Sequence, residues 1–147
     1  MRTLFLGLLL GLLLVQPMSA FAQASPVGTW TTIDDATGQP KSVIEVYETA
    51  DGKLAGRVAR VLHSTRGPNP LCEKCRGERK DQPIEGMVIL WGMQRSGDEW
   101  KGGQILDPAT GKVYSATMRP VAGGKQLQVR GFVGFSLLGR TQLWVRK

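Results

Sequence analysis

Cys72 and Cys75 are the only two cysteines of the 147-residue chain and lie three residues apart. A thiol pair at that spacing supports redox exchange, metal binding or a small disulfide. Thioredoxin-type exchange starts from a cysteine at the head of a helix that follows a strand, where the helix dipole lowers the thiol pKa. Here the flanks are Leu71 and Arg76-Gly77 in a proline-rich stretch. That setting favours an intramolecular disulfide that stiffens its own loop, although Lys74 and Arg76 would also favour a thiolate. A structural zinc site takes four ligands, and two Cys with the lone His63 supply three, so no metal site is expected. His63 precedes Ser64 and Thr65, but a general base needs a facing nucleophile or an orienting acid, which adjacency in sequence does not establish. Asp107 is the sole acid of residues 101–147. Within Ile105-Leu106-Asp107-Pro108-Ala109-Thr110-Gly111 it reads as a turn former that pairs with Arg130 or Arg140. No nucleophile, base and orienting group form a legible set. No catalytic residue is therefore assigned, no cofactor is expected, and the chain is not read as an enzyme.

The residues that favour binding are Arg130 and Arg140, with Phe135 between them and Trp30 near the start of the chain. Phe135, Leu137 and Leu138 fall in a glycine-rich connection, an apolar tip between two cations. Residues 101–147 hold eight basic residues against Asp107 alone, whereas residues 23–100 are nearly neutral. Such asymmetry reads first as a solvated basic face, and it also suits a surface for anionic lipid, polysaccharide or nucleic acid. No interleaved aromatic and basic motif of a nucleic-acid reader is present, so no nucleic acid is expected as a partner.

These side chains must be held by β-structure. Turn signals recur at Asp34–Gly38, Asp51-Gly52, Ser96–Asp98, Asp107–Gly111 and Gly123-Gly124. The intervening segments are rich in Val, Ile, Thr and aromatic residues, which predicts consecutive antiparallel strands. Eight are expected, at 27–33, 41–48, 53–62, 86–93, 99–106, 112–119, 126–133 and 140–146. The one long connection, 63–83 between strands three and four, has room for a short helical turn. Eight short strands in sequence predict an all-β, eight-stranded antiparallel up-and-down barrel. Charged residues such as Lys41, Glu45, Arg57 and Lys101 interrupt the strands, which argues against a membrane-spanning barrel. Closure would bring Arg140 or Arg146 of the last strand to Trp30 of the first, where a guanidinium over the indole would plug the barrel end; the alternative is Trp30 as a plain core aromatic. Gly28-Thr29-Trp30 with a late Arg is similar to the barrel-end signature of lipocalin-like proteins.

The N-terminus has a cation at Arg2, an apolar run from Leu4 to Val15, and Ala20-Phe21-Ala22. Residues 1–22 therefore read as a secretory signal peptide, with residues 23–147 as a single exported barrel domain. The apolar run is short for a bilayer and ends at Gln16-Pro17, so no transmembrane segment is expected in the mature chain. The expected compartment is the periplasm, an oxidising space that suits the cysteine pair.

A longer pattern runs through Gly28-Thr29-Trp30, Asp51-Gly52-Lys53-Leu54, Cys72-Glu73-Lys74-Cys75 and Trp100–Lys112, and closes with Val129-Arg130-Gly131-Phe132, Gly139-Arg140-Thr141-Gln142 and Trp144. On these residues the chain resembles the bacterial family catalogued as domain of unknown function 2147. The resemblance implies a small exported β-barrel and brings no settled activity or catalytic residues. The expected function is binding of a small amphipathic or anionic ligand, with Arg130, Arg140, Trp30 and Phe135 as its site. The alternative is an envelope interaction protein with a filled barrel, acting through its basic surface and the 134–139 loop.

Overall fold

The computed structural model describes residues 24–135 and 138–147. The expected signal segment, and Ser136 and Leu137 of the expected interaction loop, lie outside the described residues. Eight strands form one closed antiparallel barrel in chain order. They are β1 (Gly28–Ile33), β2 (Pro40–Glu48), β3 (Leu54–Val61), β4 (Val88–Ser96), β5 (Glu99–Asp107), β6 (Lys112–Val121), β7 (Gln126–Phe132) and β8 (Gly139–Arg146). The expected strand number and order hold, with boundaries shifted by a few residues. The β3–β4 connection contains one 3-10 turn, Gly77–Arg79. Alternation along β2 predicts that Val43 faces outward with Glu45, but Val43 is buried. The β2–β3 register shifts between Val43 and Ile44, and such a bulge re-aims the local side chains.

In a meander, alternate connections share a barrel end. The β2–β3, β4–β5 and β6–β7 turns lie with both described termini at one end; the other four connections ring the opposite end. Large side chains fill the first end. Trp30, Ile44, Val46, Leu90, Met93, Met118 and Leu127 are buried there in one apolar cluster.

That end is closed as Trp30 and a late arginine suggested, and Arg146 is the arginine. Its guanidinium lies 4.1 Å from the Trp30 ring. Arg146 Nε donates to Gly124 O at 2.7 Å, Nη2 to Ser25 O at 2.8 Å and Nη1 to Val27 O at 3.2 Å. The Trp30 indole N–H donates to Pro26 O at 2.8 Å, so the ring is buried with its polar edge satisfied. Gly28 has φ of 139°, and a Cβ there would come within 2.6 Å of Arg146 Nη1. The glycine of Gly28-Thr29-Trp30 is thus favoured first by its backbone conformation, which L side chains rarely adopt, and a Cβ would in addition push on the end of the Arg146 side chain.

Candidate functional site

The opposite half of the barrel is open. A cavity of about 690 Å3 runs inward from the mouth, within the range of small-molecule sites, roughly 300–1,000 Å3. Its inner walls are Val58, Ile84, Ile89, Ile105, Leu106 and Val129, with Trp144 among the deep residues. On β7 the inward positions pass from Leu127 through Val129 to Gly131. Side-chain volume falls along that line, and the interior opens where it falls.

One wall is polar. Alternation along β8 sends Arg140, Gln142 and Trp144 to the cavity side. The Trp144 indole N–H donates to Gln142 Oε1 at 3.4 Å. Gln142 Nε2 in turn donates to Asp35 Oδ2 at 3.4 Å. Arg140 Nη2 donates to the same carboxylate oxygen and forms an ion pair with it. A line of hydrogen bonds thus climbs from the cavity interior to its rim. Beside it, the Thr32 and Ser42 hydroxyls are paired at 2.7 Å.

This line also ties the barrel seam. The β1–β8 ladder pairs Trp30 with Arg146 and Thr31 with Val145, both towards the closed end. Nearer the mouth, the Asp35 side chain in the β1–β2 loop links that loop to β8. The hydrogen bond from Arg140 holds the Asp35 carboxyl below the ordinary value of 3.8, so it is ionised at neutral pH; the bond from Gln142 adds to the effect and desolvation opposes it. A lowered folded pKa stabilises the fold above the ordinary value, and that contribution is lost as pH falls through the folded pKa. With the side chains of Asp35 and Arg140 46% and 67% exposed, solvent screening limits the pair to about 0.5 kcal/mol. Between about pH 5 and pH 2.5, Asp35→Asn should therefore lose less stability than the unmodified protein by about that amount, read from urea midpoints.

Of the four expected ligand-binding residues, Arg140 lines the cavity. Arg130 is not among the lining residues; its Nη1 donates to Thr141 Oγ1 at 2.9 Å. Trp30 belongs to the plug at the closed end. Phe135 is 78% exposed at the rim, with Val133 and Leu138 also well exposed. The arginines and Trp30 are therefore not brought together. Asp107 folds into its own turn, accepting from Ala109 N at 2.9 Å and Thr110 Oγ1 at 3.1 Å, while Asp35 is the ion partner of Arg140. His63 is exposed beside the mouth.

The residues that sequence reading missed are Asp35, Gln142 and Trp144. A signal for two of them was present, because Arg140-x-Gln142-x-Trp144 has the period of one strand face.

Cys72 and Cys75 form a disulfide. Both are buried in the apolar cluster, where the disulfide loop packs onto the β5–β6 turn. Cys72 Sγ lies 3.5 Å from Pro108 O. Burial shields the sulfurs from an attacking thiolate, which fits a staple. Among the described residues, no group of three or more His, Cys, Asp or Glu side chains is placed to hold a metal ion.

An eight-stranded meander closed by an arginine over a Gly-x-Trp indole, and open at the other end, defines a small lipocalin-like barrel. The chain belongs to the family described as uncharacterized proteins conserved in bacteria (DUF2147), whose sequence profile matches residues 28–146. A solved structure with this fold is protein HP1028 from Helicobacter pylori, described as belonging to the lipocalin family. It is 17% identical, the match covers 84% of each chain, and the TM-score is 0.71. At that identity the likeness establishes the fold. No curated protein sequence matches the chain.

Proposed function

We propose that this protein is an exported binding barrel of the bacterial envelope, a single domain over residues 23–147 that takes a small amphipathic molecule into its open half. The observation that carries this reading is the cavity, with an apolar body and polar groups converging on one wall. Burying an apolar body there stabilises the complex by about 25 cal/mol per Å2 removed from water, and the polar wall orients the other end. Export is supported by the pattern of residues 1–22 and by a disulfide that suits an oxidising compartment.

The test is a native mass spectrum of the protein purified without detergent, followed by titration with the apolar fluorophore N-phenyl-1-naphthylamine. A bound species of a few hundred daltons, or fluorophore uptake, is expected. Val129→Phe, which adds bulk inside the cavity, should weaken uptake by at least about tenfold while the far-ultraviolet spectrum stays unchanged, a loss of about 1.4 kcal/mol. A bare chain that also excludes the fluorophore would overturn the reading. Function would then move to the rim, where Val133, Phe135 and Leu138 are 64%, 78% and 70% exposed and would contact an envelope protein or surface.

A further inference from the structure

We infer that the molecule held in this cavity carries an electroneutral polar head, with both hydrogen-bond donors and acceptors, rather than a bare carboxylate or phosphate. The inference rests on the binding role proposed for the cavity and specifies its ligand.

The rim looks basic in sequence and is balanced in space. Lys41, Arg66 and Arg140 stand among the cavity-lining residues with Asp34, Asp35 and Asp107. Two of those acids are held in their own turns. Asp34 Oδ1 accepts from the backbone N–H of Ala36 and of Thr37, each at 2.9 Å, and Asp107 is held in the same manner. Arg66 Nη1 donates to Leu71 O at 3.0 Å, within its own loop. Asp35 differs, because its carboxylate sits on the guanidinium and the amide that a ligand head would meet.

An anionic head approaching Arg140 would face the like charge of Asp35 on the same guanidinium. It would have to displace that carboxylate or share the cation with it, and either costs affinity. A neutral head escapes this conflict. Its hydroxyl or amide N–H can donate to Asp35, and its oxygen can accept from Arg140 or Gln142, with the ion pair left intact. A zwitterionic head satisfies the same two sites. The shared chemistry is zero net charge with both kinds of hydrogen-bonding group.

Three lauroyl-length probes distinguish the cases: laurate as the anion, 1-monolauroylglycerol as the neutral head and dodecylphosphocholine as the zwitterion. Each competes with N-phenyl-1-naphthylamine at neutral pH, below the concentration of micelle formation. The neutral probe, the zwitterionic probe or both should displace the fluorophore at a concentration at least about tenfold lower than laurate. Asp35→Asn should shrink that preference by at least about twofold, chiefly by improving laurate. Comparing the ratio between the two proteins cancels the different water solubilities of the probes. Laurate competing as well as or better than both other probes on the unmodified protein would overturn the head-group inference and leave the cavity reading standing. A preference unchanged by Asp35→Asn would likewise overturn it, by removing Asp35 as its cause. Fluorophore uptake that no lauroyl probe reverses and that Val129→Phe leaves intact would place the dye outside the cavity and remove both readings.

Discussion

Trp30→Ala should destabilise the protein by about 3–5 kcal/mol, the range for deleting a fully buried aromatic from a packed core. The indole is wholly buried, holds Pro26 O through its N–H and supports the guanidinium of Arg146. Alanine would leave a void at the closed end and remove the aromatic face from a cation that also binds three backbone carbonyls. Arg146→Ala alone should cost less, about 2 kcal/mol, because the arginine is partly exposed and water reaches some of the carbonyls it leaves. A double-mutant cycle should return a coupling of about 1 kcal/mol for the cation over the ring. Denaturant midpoints measure all of these. A Trp30→Ala loss below about 1 kcal/mol would show that the plug does not carry the closed end.

Gly111→Ala should cost about 2–4 kcal/mol, a large effect for the addition of one methyl group. Gly111 has φ of 71°, where alanine is strained. In addition, a Cβ there would overlap the backbone carbonyl of Lys74 and come within 2.9 Å of Cys75 N. Backbone cannot rotate away as a flexible side chain can. The disulfide loop and the β5–β6 turn must therefore separate, although Cys72 packs against Pro108 across this junction. Reduction of the Cys72–Cys75 disulfide by dithiothreitol should accelerate with the loss of burial, which gives a second readout beside the denaturation midpoint. Gly38→Ala is the control, because Gly38 has φ of 70° with open space around it and reports backbone strain alone.

Local chemistry made the strands legible. The Asp-Gly and Asp-Pro-Ala-Thr-Gly turns and the β-branched segments between them specify eight strands in order, and the short Cys-x-x-Cys spacing specifies the disulfide. The barrel followed, because eight consecutive antiparallel strands leave two edges that closure removes. The long 63–83 connection was legible only as a connection. Burial of its disulfide against Pro108 depends on the β5–β6 turn packing onto that loop at the same end of the barrel.

The site was less legible. Arg140 was identified from its type, but its partner Asp35 lies 105 residues away in sequence. The two meet because closure joins the first strands to the last, and no local pattern encodes which side chains face each other across that seam. Closure also decided that Arg146, two positions beyond Trp144 on the same strand face, covers Trp30, while Arg140 stands at the far end by the mouth. The sequence by itself therefore determined the strands and their order and favoured the disulfide, while it offered an arginine over Trp30 only as one of two readings of that indole. The tertiary structure alone decided which half of the interior is open, because that depends on side-chain volumes summed across strands. It also decided that Arg140 is neutralised at the cavity rim, because Asp35 and Arg140 become neighbours only when the barrel closes.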